Sequence, residues 1–468
     1  MTKARSAPAV AWFDATDVLT WGPEPPMGVP RVEQAIYRYC RTQPDLGIAI
    51  YDSYFRRFRP ADRATIAYLD YLVAGDWPGS SRPRAERRVE ALRFWWPLLS
   101  CQNHATADYV ARCLSGKKDR KNPANKAIRT IVRPLGWLLA LVSMTGEFAR
   151  WLLAKTGLGS PARLFAAGVP VLMSNTIANR QETRGSMRLW RQRPVYLLHD
   201  IIPLRFPEQI DDHVVAAQLR YIRRIMASGD PVITISKATR DDLLNWYRQD
   251  SGIGYPHSIT AVSLGATIDD SGDATAPIPA LQDRRFAIYC STIDIRKRHD
   301  VVVRAWAALA RKHGAETLPY LAFSGRAGSG CEQLSAALED APEIANRVVI
   351  LDLITDAQLR WAYRNAEFGV FPSSAEGWGL GVSECLAHGV PVVHSDIPAL
   401  CEAAQGLMPK APTGDIAAWV SVTEGFVTDP RKLAALRDTI GRAYRPGKPD
   451  DFARNIMAKL REFAGSTS

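Results

Sequence analysis

No segment of this 468-residue chain is apolar over the roughly 20 consecutive residues that a membrane-spanning helix needs, so no bilayer-crossing segment is expected. Seven cysteines (Cys40, Cys101, Cys113, Cys290, Cys331, Cys385, Cys401) show no C-x-x-C spacing, and the N-terminus has no cleavable secretory pattern with a central apolar stretch. Both absences favour reduced thiols in a cytoplasm. The chain has no internal repeat of solenoid period and no low-complexity tract. Acidic residues are the scarcer charge, 48 against 59 Lys and Arg, giving a formal net charge of +11. That balance points to acidic partners such as nucleic acid, anionic lipid or phosphorylated substrates, without choosing among them.

With 47% apolar residues, a chain of this length can bury large cores and is expected to form two large domains. Val10 to Phe13, Gly47 to Tyr51, Val169 to Met173, Val195 to Leu198 and Val232 to Ile235 read as strands, with a helix over Arg31 to Cys40. Between about 55 and 160 the pattern turns to long, basic, Trp-rich helical stretches with few strand candidates, clearest over Arg82 to Trp96. Residues 269–279 are polar and Pro-punctuated, the best interdomain linker. Beyond it, strands over Phe286 to Tyr289, Tyr320 to Phe323, Val348 to Leu351, Phe368 to Phe371 and Val390 to Val393 alternate with helices such as Asp300 to Lys312 and Asp356 to Asn365, and a last helix covers Asp451 to Phe463. Strand and helix in alternation predict an α/β fold with parallel sheets. The expected division is 1–275, with a helical, basic elaboration about 55–160, then 280–448, then a C-terminal helix and tail over 449–468.

The basic residues are locally concentrated. Lys117, Lys118, Arg120, Lys121, Lys126, Arg129 and Arg133 stand against the single acid Asp119, just before the apolar stretch 134–146; Trp137, Phe148, Trp151, Arg150 and Lys155 extend it. Basic then greasy is how an interfacial anchor reads, with a solvated loop before a buried helix as the plainer reading.

The most informative stretch is Pro372-Ser-Ser-Ala-Glu-Gly-Trp-Gly-Leu-Gly-Val-Ser-Glu384. A buried strand, a glycine-rich turn and a helix opening near Val382 would aim backbone N–H groups at a crevice that attracts phosphate. Glu376 on the turn could accept from sugar hydroxyls and Glu384 from a ribose diol. Two anions suit hydroxyls, so a diphosphate needs cations from elsewhere. Arg296 and Lys297 supply them, just past the C-terminal end of the strand Phe286 to Tyr289, offering a forked donor and a point charge to a leaving diphosphate. As plainer readings, Glu376 and Glu384 are a helix N-terminal acid and an exposed surface charge, Arg296 and Lys297 solvated surface charges, and His199 with Asp200 a loop histidine with a capping acid. His388 and His394, flanking a buried strand, read as structural.

These residues resemble the family 4 glycosyltransferases, retaining enzymes of the GT-B fold. EGWGLGVSE carries the family's E-x7-E signature; TIDIRKRH resembles its T-x-E-P-R-K-x-H element, LLHDIIPLRFPE its H-D-x-x-P stretch, ITISKATRDDL its S-x-x-S-x-x-x-x-x-L element, and VSLGATID the segment leading toward the linker. MGVPRV resembles the T-G-I-x-R-V of some bacterial members that build surface polysaccharides. Together the matches cover most of the chain outside 55–160. Ser291 stands where the family often has Gly, and Asp294-Ile295 replaces Glu-Pro, which bears on loop geometry and leaves the Arg-Lys pair intact.

The resemblance implies two Rossmann-like domains facing a cleft, with a helical insertion in the first. The nucleotide sugar would lie mainly on the C-terminal domain, at Arg296, Lys297, Gly325, Arg326, Glu376, Gly377, Trp378, Gly379, Leu380 and Glu384. Glu376, His199, Arg296 and Lys297 would carry the chemistry, and Gly28, Arg31, His199 and Asp200 would face the acceptor. No enzymatic nucleophile is named, because retention in such enzymes is attributed to a same-face displacement. The chain has no D-x-D sequence, which fits a metal-independent site in which Arg and Lys replace the divalent ion; no cofactor is expected. The implied activity moves a hexosyl group, mannose from GDP-mannose favoured, to a lipid-linked saccharide, at the inner face of the plasma membrane. An anionic membrane surface is an expected partner and nucleic acid is not. Alternatives are another donor (dTDP-rhamnose or a UDP-hexose), a noncatalytic basic membrane- or nucleic-acid-binding protein, or another two-domain α/β enzyme such as an epimerase or hydrolase.

Overall fold

The computed structural model describes residues 9–21, 26–52, 57–74, 123–124, 126–131, 134, 169–173, 193–252, 255, 259–268, 275–351 and 354–465. Contacts divide the chain into two compact units, residues 1–197, 224–232 and 453–468 in one and residues 198–223 and 233–452 in the other. Two sheets organise it.

The first contains β1 (Ala11–Asp14), β2 (Leu46–Asp52), β3 (Arg57–Pro60), β4 (Pro170–Met173), β5 (Arg193–Leu198), β6 (Val232–Thr234) and β7 (Ile259–Ala261), in the order β3-β2-β1-β4-β5-β6-β7. Strand β1 pairs in parallel with β2 and β4, and β4 with β5, while β3 runs antiparallel to β2. Every residue of β1 and β4 is buried, as strands covered on both faces require. Helix Val29–Thr42 begins at Gly28, whose φ of 56° suits a residue without Cβ.

The second sheet contains β8 (Phe286–Cys290), β9 (Tyr320–Ser324), β10 (Val348–Leu351), β11 (Phe368–Phe371), β12 (Val392–Ser395) and β13 (Lys410–Ala411), ordered β10-β9-β8-β11-β12-β13. All five neighbouring pairs are parallel. Chain order reverses between β8 and β11. Such a reversal opens a crevice at the carboxyl ends of the two central strands, where open α/β sheets hold their ligands. Helix Pro449–Gly465 buries Phe452, Ile456 and Leu460 at a spacing of four, and Arg461 grips Asp45 through two hydrogen bonds of 2.8 and 2.9 Å.

Most expected elements form within a residue or two, with two corrections. Strand β3 falls inside the stretch read as helical; in its Arg-Phe-Arg-Pro the Phe58 ring is buried, and the strand sits at the sheet edge, where a terminal proline is tolerated. Strand β12 starts at Val392 rather than Val390, because the Val390 N–H closes the preceding helix on the Cys385 carbonyl and Pro391 has none to give. The expected helix over 82–96 and the linker residues 269–274 lie outside the described residues. So does the basic and apolar segment 117–155, apart from helical residues 123–124, 126–131 and 134. Among the described residues no helix is long and apolar enough to cross a membrane.

Candidate active site

The loops after β8 and β11 meet at the point where strand order reverses. After β8 the chain enters a single 3₁₀ turn, Ile295–Lys297, whose first residue is preceded by Asp294. The Asp294 carboxylate accepts from the Arg296 N–H at 3.3 Å, capping the turn, so replacing the family's Glu-Pro with Asp-Ile still builds it. The Ser374 N–H donates to the Arg296 carbonyl at 2.7 Å, fastening this turn to the loop after β11.

Across that seam Lys297 Nζ forms an ion pair with Glu376 Oε1, and Arg296 Nη1 lies 3.6 Å from Glu376 Oε2 while donating to the Ala375 carbonyl at 3.1 Å. The Lys297 and Glu376 side chains are each only 13% exposed. Burial pushes the Lys297 ammonium below its ordinary value, with Glu376 opposing. For Glu376 burial acts upward, but Lys297 and Arg296 outweigh it and hold the carboxyl below its usual range. These tendencies compete; two cations facing one carboxylate favour the ionised pair. The trio carries one excess positive charge, suited to an anion.

Glu384 is buried in helix Leu380–Ala387. Its Oε1 accepts from the Thr267 hydroxyl at 2.6 Å and its Oε2 from the Tyr363 hydroxyl at 2.9 Å. Both oxygens are therefore oriented, with lone pairs left for further donors. Trp378 turns inward: its indole N–H donates to the Gly265 carbonyl at 2.9 Å and approaches Ser383 Oγ at 3.2 Å. Gly379, at φ 108°, caps the helix where a Cβ would stand 2.4 Å from Leu400 Cδ2. Leu380 follows as the first helical residue.

His199 and Asp200 follow β5 and belong to the same compact unit as this loop. His199 is buried, and a Cβ on Gly377 would lie 2.2 Å from its carbonyl oxygen, so only glycine fits. The Gly377 carbonyl accepts from the Ser236 hydroxyl at 2.6 Å and the Thr239 hydroxyl at 3.1 Å; Thr239 also reaches the His199 carbonyl at 3.2 Å. Ser236 is in turn the N-cap of helix Lys237–Ser251. Asp200 accepts from the Ile202 N–H at 3.0 Å, the capping role of the plainer reading. On the other side, the loops after β8 and β9 run backbone against backbone. A Cβ at Gly325 would meet the Ser291 carbonyl at 2.0 Å, and the Arg326 carbonyl accepts from the Ile293 N–H at 2.9 Å.

The structure thus gathers Arg296, Lys297, Glu376 to Leu380, Glu384, Gly325, Arg326, His199 and Asp200 into one unit; Gly28 and the buried Arg31 lie in the other. His388 and His394 each hydrogen-bond a backbone carbonyl through Nδ1. Sequence reasoning missed Tyr289, Ser373, Thr267, Tyr363 and Glu402. The Glu402 carboxylate accepts from the Lys237 and Ala238 N–H groups, both at 3.0 Å, at the N-terminus of the helix that Ser236 caps. None of these five carried a signal, whereas Ser236 stands in the quoted ITISKATRDDL as a serine opening a helical pattern.

Comparison with known proteins agrees with this architecture. Residues 284–456 match the family described as "Glycosyl transferases group 1". The chain is 27% identical over 231 residues, 47% of its length and 28% of the relative's, to a serotype-specific mannosyltransferase, WbdA, of Escherichia coli. It is 28% identical over 226 residues to a D-inositol 3-phosphate glycosyltransferase of Rhodococcus opacus, covering 46% of this chain and 49% of that one. The matches thus span half or less of these curated relatives. Among solved structures, an α,α-trehalose-phosphate synthase (UDP-forming) from Burkholderia xenovorans superposes with a TM-score of 0.51 at 12% identity, over 81% of this chain and 85% of that one. At that identity the likeness speaks for the fold alone, which is GT-B.

Proposed function

Because residues 284–456 form a group 1 glycosyl transferase domain in a GT-B fold, we propose that the chain transfers a hexosyl group from a nucleotide sugar, with mannose from GDP-mannose favoured. The observation that carries this reading is the convergence of Arg296 and Lys297, after β8, on Glu376, after β11, where strand order reverses. The two cations receive the donor diphosphate and stabilise the charge it gains as the bond to the sugar C1 breaks. The Glu376 loop addresses the transferred sugar, and Glu384 accepts from the ribose hydroxyls. The acceptor oxygen forms the new bond to C1 from the same face. Its proton passes to a leaving phosphate oxygen, and the anomeric configuration is retained without a covalent enzyme intermediate. His199 addresses the reacting sugar. No divalent ion is required, since Arg296 and Lys297 do the work it would do.

The mannosyl donor is supported by the similarity to WbdA. A lipid-linked saccharide is the favoured acceptor, met at the inner face of the plasma membrane with the basic segment 117–155 on anionic lipid. The similarity to the inositol-phosphate glycosyltransferases favours a second reading, in which the same site serves a phosphorylated alcohol. Incubation with labelled GDP-mannose and either bacterial lipid extract or inositol phosphate separates the two acceptors, and NMR of the product reads its anomeric configuration. Transfer with retention is expected; an inverted product would contradict the mechanism, and no transfer from GDP-, UDP- or dTDP-sugars would contradict the activity.

A further inference from the structure

Tyr289 lies in β8, 1% exposed, among residues read from the sequence as an apolar run. Its hydroxyl donates to the Lys297 carbonyl at 2.8 Å and stands 3.0 Å from the Ser373 hydroxyl, which is fully buried. A phenol has one proton, so with that proton on the Lys297 carbonyl the serine is the donor between the two hydroxyls. One side chain thus joins the turn that bears both cations to the loop that carries Glu376 three residues beyond Ser373. Its ring cannot drift. It stacks on His299 at 4.5 Å and 29°, and meets Phe371 edge-on at 5.5 Å and 85° and Phe323 at 6.2 Å and 78°.

We propose that Tyr289 is a positioning residue whose hydroxyl sets the register of Lys297 against Glu376 and, through that pair, the place of the donor diphosphate relative to the transferred sugar. The second half rests on the function proposed above; the first does not. Burial, then the charge of Glu376, pushes the phenol pKa upward, so the hydroxyl keeps its proton. Tyr289→Phe removes one oxygen and leaves the stacked ring, severing the link with little change in packing.

Two readouts separate positioning from packing. In the ligand-free protein, acetic anhydride labels lysines and peptide mass spectrometry reads the rate at Lys297, with the exposed Lys312 as internal standard. Tyr289→Phe is expected to speed Lys297 labelling by about fivefold, the worth of one hydrogen bond, and to add almost nothing in a Glu376→Gln background where the pair is already broken. An unchanged rate, or the same factor in both backgrounds, overturns the proposal. Calorimetric titration then compares GDP-mannose with GDP. Tyr289→Phe is expected to weaken the sugar nucleotide about tenfold and GDP much less, whereas equal losses would mean general damage to the fold. If the wild type binds neither ligand, the donor assignment fails while the labelling cycle still decides the role of Tyr289. Ser373→Ala cuts the other end of the link and is expected to act in the same direction, so a Tyr289→Phe protein that does not fold leaves the question decidable.

Discussion

Lys297 and Glu376, 79 residues apart in the chain, form a buried ion pair because the strands that precede them, β8 and β11, are neighbours in the sheet. Removing one member strands the other charge in a desolvated site. Glu376→Ala is therefore expected to cost about 3 kcal/mol in urea unfolding, and the double change Lys297→Met with Glu376→Met to recover most of it. If the double variant is no more stable than Glu376→Ala, the pair is not the source of the loss.

His299 gives the protein a pH dependence that can be assigned. Burial, then the charge of Lys297, depresses its pKa to about 3, and the ring is held neutral against Tyr289 and Phe323. With an ordinary value of 6.5 in the unfolded chain, the unfolded state binds the extra proton between the two values. The stabilisation is complete above 6.5 and is lost as pH falls toward 3, by up to about 1.4 kcal/mol per pH unit. His299→Phe should flatten this part of the profile; urea midpoints at pH 6.5 and 4.5 check it, and an unchanged slope would assign the acid sensitivity elsewhere.

Tyr363 and Thr267 each give Glu384 one hydroxyl. Tyr363→Phe leaves Oε2 of a buried carboxylate with one donor fewer and is expected to lower stability by about 2 kcal/mol in thermal or urea unfolding. A neutral result would mean that water replaces the phenol.

At Gly377 the constraint is steric. A Cβ would overlap the His199 carbonyl oxygen, a backbone atom that does not yield cheaply. Gly377→Ala is expected to abolish transfer and lower the melting temperature by several degrees, whereas Gly389→Ala, with nothing within 4 Å, should leave transfer intact at the cost of φ strain alone. Transfer surviving in Gly377→Ala would show that this loop moves freely.

How far the site was legible follows from which contacts are local. Glu376 and Glu384 stood out as charges around a glycine-rich turn after an apolar run, Arg296 and Lys297 as adjacent cations just past the end of another, and the alternation of strand and helix announced the sheets. That Lys297 touches Glu376 was not legible, since it depends on strand order, which no period along the chain reveals. Tyr289 and Tyr363 were hidden as ordinary apolar positions, their hydroxyls mattering only once the loop after β11 and the helix Leu380–Ala387 are packed against them. Trp378 read as a ligand contact from its place in the motif, yet its indole closes on Gly265. Strand β3 was missed because four residues at a sheet edge carry too little alternation to outweigh basic neighbours.

The central claim, that this crevice holds a nucleotide sugar, is tested most directly by melting the wild type and Glu384→Ala with GDP, UDP, dTDP and ADP sugars. A ligand at about one hundred times its dissociation constant adds near 2.7 kcal/mol, a shift of several degrees. The account predicts a rise with one nucleotide class, GDP-mannose foremost, that the variant loses. No rise with any donor, or an equal rise in both proteins, would contradict it.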